Sequence, residues 1–213
     1  MVFRHEIARS AVLDAVPPGA ERALHTTMTE ALERTGGDVS LLAHHAAAGG
    51  DVPRILRYAP AAAAEAARSG AHREAVACYE LALRHTQDPA ARAALLEPLA
   101  TELYLTDRLD DGIAARRHAL ELRRGLDDRV AVGAAHRAIS GFAWYAADRA
   151  VAEHHDEAAL AILEGAGDPS ALGYALSNRA FLAAQRGDAA EAMRAGFAAQ
   201  RIADELHDEA LRN

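Results

Sequence analysis

The sequence predicts an all-α protein, a right-handed α-solenoid built from antiparallel helical hairpins. Three observations predict it. Hydrophobic residues make up 51% of the 213-residue chain but aromatics only 5%, with Ala and Leu supplying most of the rest. That composition suits helices packed closely through small side chains and suits a sheet poorly. Breakers then fall at regular intervals ("VPPGA", "RTGGD", "AAGGD", "ARSGA", "HTQDP", "LTDR", "GLDD", "AADR", "GAGDP", "QRGD"), separated by segments with apolar residues at helical spacing and no convincing strand. Finally, small residues recur at fixed offsets from the turns.

In chain order, residues 2–25, "VFRHEIARSAVLDAVPPGAERALH", read as two helices joined at "VPPGA". Residues 1–50 form an N-terminal helical segment, and 51–213 carry four repeats at about 51–87, 88–127, 128–167 and 168–207. Ala75, Tyr79, Ala82 and Leu83 share one face of a helix in the first repeat. Leu95, Leu96, Leu99, Leu103 and Tyr104 share a face in the second. Asp88-Pro89 and Asp168-Pro169 place an N-cap before a proline at the first helical position. The acid pairs Asp110-Asp111 and Asp127-Asp128 begin helices, where capping and the helix dipole explain them. Gly70 and Gly187 fit tight turns after helices.

The repeats align on Gly70, Asp107, Ala147 and Gly187, with periods of 37, 40 and 40 residues. Five residues on lie Ala75, Gly112, Ala152 and Ala192. Twelve on lie Ala82, Ala119, Ala159 and Ala199, and seven back lie Ala63, Ala100, Ser140 and Ala180. Small residues at a helix crossing let two backbones approach, and each hairpin then buries its remaining apolar face on the next. The pattern resembles the tetratricopeptide repeat, whose period is about 34 residues, with longer helices or turns here. In the third unit Asp156 stands where an apolar residue is expected.

Charge and composition exclude several functions. The formal net charge is −8, with 9 Arg against 10 acids in residues 1–86 and 14 against 21 in 87–213. An acidic body is a poor partner for a nucleic-acid backbone. All 23 basic residues are arginine, so neither a Schiff-base lysine nor a Walker A lysine is present. There is no 18-residue apolar run and no basic-then-apolar leader. The single cysteine, Cys78, forms no internal disulfide, which points to a cytoplasmic protein.

Residues 2–85 carry a more specific signal. "FRHEIARSAVLDAVPPGAERALHTTMTEALE", "LAHHAAAGGD" and "RYAPAAAAEAARSGAHREAVACYELALRH" resemble the large ATP-binding transcriptional regulators of the LuxR type. In that family a P-loop ATPase and a winged helix precede a helical-repeat region, and a helix-turn-helix ends the chain. "FRHEI" resembles the end of the winged helix. The resemblance implies that this chain is the repeat region of such a regulator, without its ATPase and DNA-binding ends. It also implies a nucleotide-sensing role in the intact protein for His5, which resembles the His of the family's Met-His-Asp motif, with Glu6 in the acid's place. An imidazole beside a diphosphate can report nucleotide state.

Other chemistry is weakly indicated. His44-His45 and His154-His155 are adjacent pairs whose side chains diverge by about 100° on a helix, and no pair has the spacing of a zinc site. Ser10, Ser40, Ser69, Ser140, Ser170 and Ser177 lack a nucleophile-elbow glycine pattern. The expectation is a non-enzyme with no metal and no cofactor in this chain.

The binding candidates lie on the first helix of each repeat, which in tetratricopeptide-like repeats lines the concave face. They are Arg57 in the first repeat and Glu97, Thr101 and Tyr104 in the second. The third supplies Arg137, Trp144 and Tyr145, and the fourth Tyr174, Ser177, Phe181 and Gln185. Aromatics with arginine on a concave surface are ligand-contact chemistry. The expected ligand is a protein, peptide or small effector, with no direct nucleic-acid contact, no membrane, and a homodimer formed through the solenoid ends. The alternative reading is a free-standing repeat adaptor with no nucleotide link.

Overall fold

The computed structural model describes residues 17–212. The helix read before "VPPGA", and His5 with it, lie outside the described residues. The described residues are helical throughout, apart from turns, and hold no strand. No helix among them is long and apolar enough to cross a membrane. The chain divides into two compact units, 1–86 and 87–213.

The first unit contains α1 (Pro18–Thr35), α2 (Val39–Gly49), α3 (Val52–Arg68) and α4 (His72–His85), each packed on the next. Its core is alanine-rich: Ala59, Ala62, Ala63, Ala75 and Ala82 are fully buried around Ile55, Tyr58 and Tyr79. Glu33 of α1 ties this core to α3. It accepts from Arg54 Nε at 3.1 Å and Nη2 at 2.9 Å, and from the Tyr58 hydroxyl at 2.7 Å. These hydrogen bonds, led by that from Arg54, hold the Glu33 carboxyl below its ordinary range.

The second unit contains α5 (Pro89–Leu105), α6 (Leu109–Gly125), α7 (Arg129–Tyr145), α8 (Arg149–Leu163), α9 (Pro169–Arg186), α10 (Ala189–Leu206) and the single turn α11 (Glu209–Arg212). The pairs α5/α6, α7/α8 and α9/α10 form antiparallel hairpins, and successive hairpins stack. The protein is thus an all-α array of helical hairpins, as the sequence predicts.

Local chemistry sets the element boundaries. Asp38, Asp51, Asp88, Asp128, Asp148, Asp168 and Asp188 each cap a helix by accepting a backbone N–H from its first turn. Each such cap is worth about 1 kcal/mol. The residues on which the repeats align, Gly70, Asp107, Ala147 and Gly187, all adopt the left-handed conformation, with φ of 78°, 63°, 59° and 81°. The hairpin turn needs that conformation, so the spacing in the sequence is the spacing of these turns. Ala147 occupies it without glycine's freedom. We therefore expect Ala147→Gly to stabilise the protein by about 0.5 kcal/mol, once glycine's extra unfolded-state entropy is subtracted. A small rise in melting temperature checks this, and a fall contradicts it.

Packing explains the small residues. Ala63, Ala75, Ala82, Ala100, Ala119, Ser140, Ala152 and Ala159 are fully buried, whereas Ala180 and Ala192 of the last hairpin are half-buried. A Cβ on Gly112 would stand 2.9 Å from the Ala100 carbonyl oxygen, so α5 and α6 approach backbone to side-chain root. Gly133 and Gly173, one repeat apart, make the same allowance for a leucine: a Cβ would lie 2.5 Å from Leu163 Cγ and from Leu211 Cδ2 respectively. Gly133→Ala should destabilise by about 1–2 kcal/mol, because overpacking against the buried Leu163 outweighs the gain in helix propensity of about 1 kcal/mol. Chemical denaturation checks the sign.

Candidate functional site

The first helices of the three hairpins in the second unit, α5, α7 and α9, carry a ladder of aromatic and arginine side chains in three sets of contacts, one of them joined by Arg149 of α8. The Tyr104 ring of α5 lies 5.7 Å from Phe142 and 5.1 Å from Tyr145 of α7. Trp144 of α7 meets Phe181 of α9 edge-on at 5.8 Å, and the Arg149 guanidinium lies 5.9 Å from the indole. Arg137 of α7 lies 5.7 Å from the Tyr174 ring of α9. These separations are the ordinary range of aromatic and cation–π contact. Tyr145 and Phe181 are 59% and 42% exposed, so the ladder keeps an open apolar surface. A hollow of about 250 Å³ beside it is lined by Trp144, Ala147 and Arg149.

Of the polar candidates, Glu97, Thr101, Arg137 and Ser177 lie one or two turns earlier on the same helices, Gln185 one turn later on α9, and Arg57 in the first unit. Glu97 takes two bonds from Arg123 of α6, to Nε at 2.9 Å and Nη2 at 3.2 Å. Thr101 Oγ1 accepts from Arg116 Nη2 at 3.2 Å. Arg116 also lies over the Phe142 ring at 5.7 Å, and its buried Nε has no hydrogen-bond partner. Burial is the first cause that lowers the guanidinium pKa at Arg116, to about 10, and at Arg137. Ser177 and Gln185 are exposed on α9. Arg57 is exposed on α3 in the first unit, its guanidinium 5.2 Å from the Tyr58 ring.

Sequence reasoning missed Arg116, Phe142 and Arg149. Arg116 had a signal in Gly112: where α6 comes closest to α5, a long side chain one turn further on can reach across to Thr101.

Two polar clusters sit behind this face. The first explains the unexpected Asp156. It is 2% exposed and forms an ion pair with Arg179 Nε, while Asn178 Nδ2 donates to Asp156 Oδ1 at 2.7 Å and to the buried Ser140 Oγ at 3.0 Å. Arg179 also reaches Glu191 at 3.8 Å. The second links α6, α7 and α8. Arg124 Nη2 lies 3.1 Å from His136 Nε2, and His136 Nδ1 lies 3.0 Å from His155 Nδ1. Arginine only donates, so His136 Nε2 accepts and its proton is on Nδ1. That proton is donated to His155, whose own proton then sits on Nε2. A third cluster, in the first unit, brings His25 Nδ1 to 2.8 Å from His45 Nδ1 with the His44 ring alongside.

Among the described residues, no group of three or more His, Cys, Asp or Glu is arranged to hold a metal ion. The Cys78 thiol is half-buried, and burial raises its pKa, which disfavours the nucleophilic thiolate.

No family model matches the chain, and no curated protein matches it. Among solved structures it is similar to the crystal structure of BtubC (BKLC) from P. vanneervenii, with a TM-score of 0.66 and 22% sequence identity, over 95% of this chain and 87% of that one. At that identity the similarity establishes the fold.

Proposed function

We propose that the chain is a non-catalytic, cytoplasmic helical-repeat region that engages a protein, peptide or small effector on the α5–α7–α9 face. The observation that carries this reading is the ladder itself. Tyr104, Phe142, Tyr145, Trp144 and Phe181 come from three successive hairpins and leave an exposed aromatic strip beside Arg137 and Arg149. Aromatic rings supply large rigid contact areas at low entropic cost, and arginine supplies orientation through charge.

The resemblance of residues 2–85 to LuxR-type regulators supports a setting for this face. There it would be the sensor of an ATP-dependent transcriptional regulator. Ligand binding would shift the ATPase between resting and active states, which requires different affinities for the two. The adaptor reading uses the same face without a nucleotide link. The native reading frame separates them. A P-loop encoded ahead of residue 1 and a helix-turn-helix after residue 213 are expected for the regulator. A frame that lacks both overturns that setting and leaves the adaptor.

A further inference from the structure

We propose that the α5–α7–α9 face holds an organic oxyanion, a carboxylate or phosphate carried on an apolar body, between Arg116 and Arg137 and over Gly141. This deepens the binding-face reading and rests on it.

Charge is the first argument. The second unit is strongly acidic, with 14 Arg against 21 acids in residues 87–213. Arg137 repels Arg116, though less than Glu97 attracts it, and neither arginine is within ion-pair distance of a carboxylate among the described residues. Glu97, the acid nearest Arg116, is already engaged by both arms of Arg123. Two desolvated cations with no paired carboxylate are costly to maintain, and a bound oxyanion lowers that cost. Thr101 and the faces of Phe142 and Tyr174 fix the two guanidiniums in place before any ligand arrives.

Space is the second argument. Gly141 lies one turn after Arg137 and one turn before Trp144 and Tyr145, on the same face of α7. A Cβ at Gly141 would meet nothing within 4 Å. On the same helix, a Cβ at Gly133 would strike Leu163, so that glycine has a packing reason and Gly141 has none. A mid-helix glycine costs about 1 kcal/mol relative to alanine. Here it leaves open floor between Arg137 and the aromatic strip, which suits a ligand with an anionic head and an apolar body.

The test uses the 213-residue chain with phenyl phosphate and phenylacetate as probes and benzyl alcohol as the neutral control. Calorimetry and the emission of Trp144, the only tryptophan, read binding. At least one anion should bind, more weakly as salt is added, and at least about tenfold better than the alcohol. The stronger of the two anions assigns the head group to phosphate or carboxylate. Arg137→Ala and Gly141→Leu should each lower affinity by about tenfold or more with helicity retained. Arg116→Met should melt at or above the wild type while losing the anion, because it removes a desolvated charge.

Absence of binding by both anions at millimolar concentration overturns the proposal, as does equal binding by Gly141→Leu and Arg137→Ala. If the anions fail while displayed peptides bind in a manner that depends on Tyr104 and Phe181, the oxyanion site falls and the binding face stands.

Discussion

Replacing Asp156 with alanine should cost about 3–5 kcal/mol of folding stability, the largest single effect we expect in this protein. The carboxylate is 2% exposed and joins three elements: Arg179 and Asn178 come from α9, and Asn178 continues to Ser140 of α7. Truncation removes the acceptor of the Arg179 guanidinium and of the Asn178 amide. Glu191, half-buried and 3.8 Å from Arg179, already shares its carboxylate with Arg194, so it replaces the lost partner only in part. The melting temperature should fall by something on the order of 10 °C. The double substitution Asp156→Leu with Arg179→Leu should recover most of that loss, because the cost lies in the unpaired charge rather than in the absence of the pair. Denaturation of both variants measures it. A single-variant loss below about 1 kcal/mol would mean that solvent already reaches this carboxylate.

Acid should weaken the second unit as pH falls from 6.5 to about 4. His136 is 4% exposed and its pKa is lowered from 6.5 to about 4, first by burial, then by repulsion from His155, Arg124 and His154. His155 is lowered too, by burial first and then by His154, Arg117 and Arg124. The charges that shift this pair are all basic. A histidine whose folded pKa lies below its unfolded value contributes stability above the unfolded pKa, and that stability drains away as pH falls through the folded one. For His136 the window runs from pH 6.5 down to about 4, and the loss reaches about 3 kcal/mol at its lower end. The tautomers supply the mechanism, since a proton added to His136 Nε2 would point at Arg124. Burial lowers His45 in the first unit with the same sign. Imidazole NMR should find His136 protonated on Nδ1 and His155 on Nε2 at neutral pH. The stability slope between pH 6.5 and 4.5 should flatten in His136→Gln. A His136 that titrates at 6.5 or above would refute this account.

The local grammar of the fold was legible in the sequence. The tight turns at Gly70 and Gly187 and the caps at Asp88 and Asp168 are encoded by one or two residues each, within one turn of where they act, whereas Asp107 and Ala147 were legible only as repeat positions. Tyr104, Trp144, Tyr174 and Phe181 were legible as residues of the first helices, because repeat spacing places them there and α5, α7 and α9 carry them. What stayed hidden depends on residues one helix or more away. Asp156 looked like a misplaced polar residue until Arg179, 23 positions on, closed against it. The His154-His155 pair looked self-contained, yet His155 meets His136 across a hairpin. Gly141 and Gly133 are identical letters on one helix, one facing open space and the other a leucine.

The most direct test of the binding face is a selection of displayed random peptides, run alongside a panel of organic phosphates and carboxylates, against the 213-residue chain. Every binder is then measured on the wild type and on the Tyr104→Ala, Phe181→Ala double variant. Binders should shift the emission of Trp144 and lose about tenfold or more in affinity on the variant. Binders that hold the variant equally well without touching Trp144, or no binder from either set, would contradict the binding face.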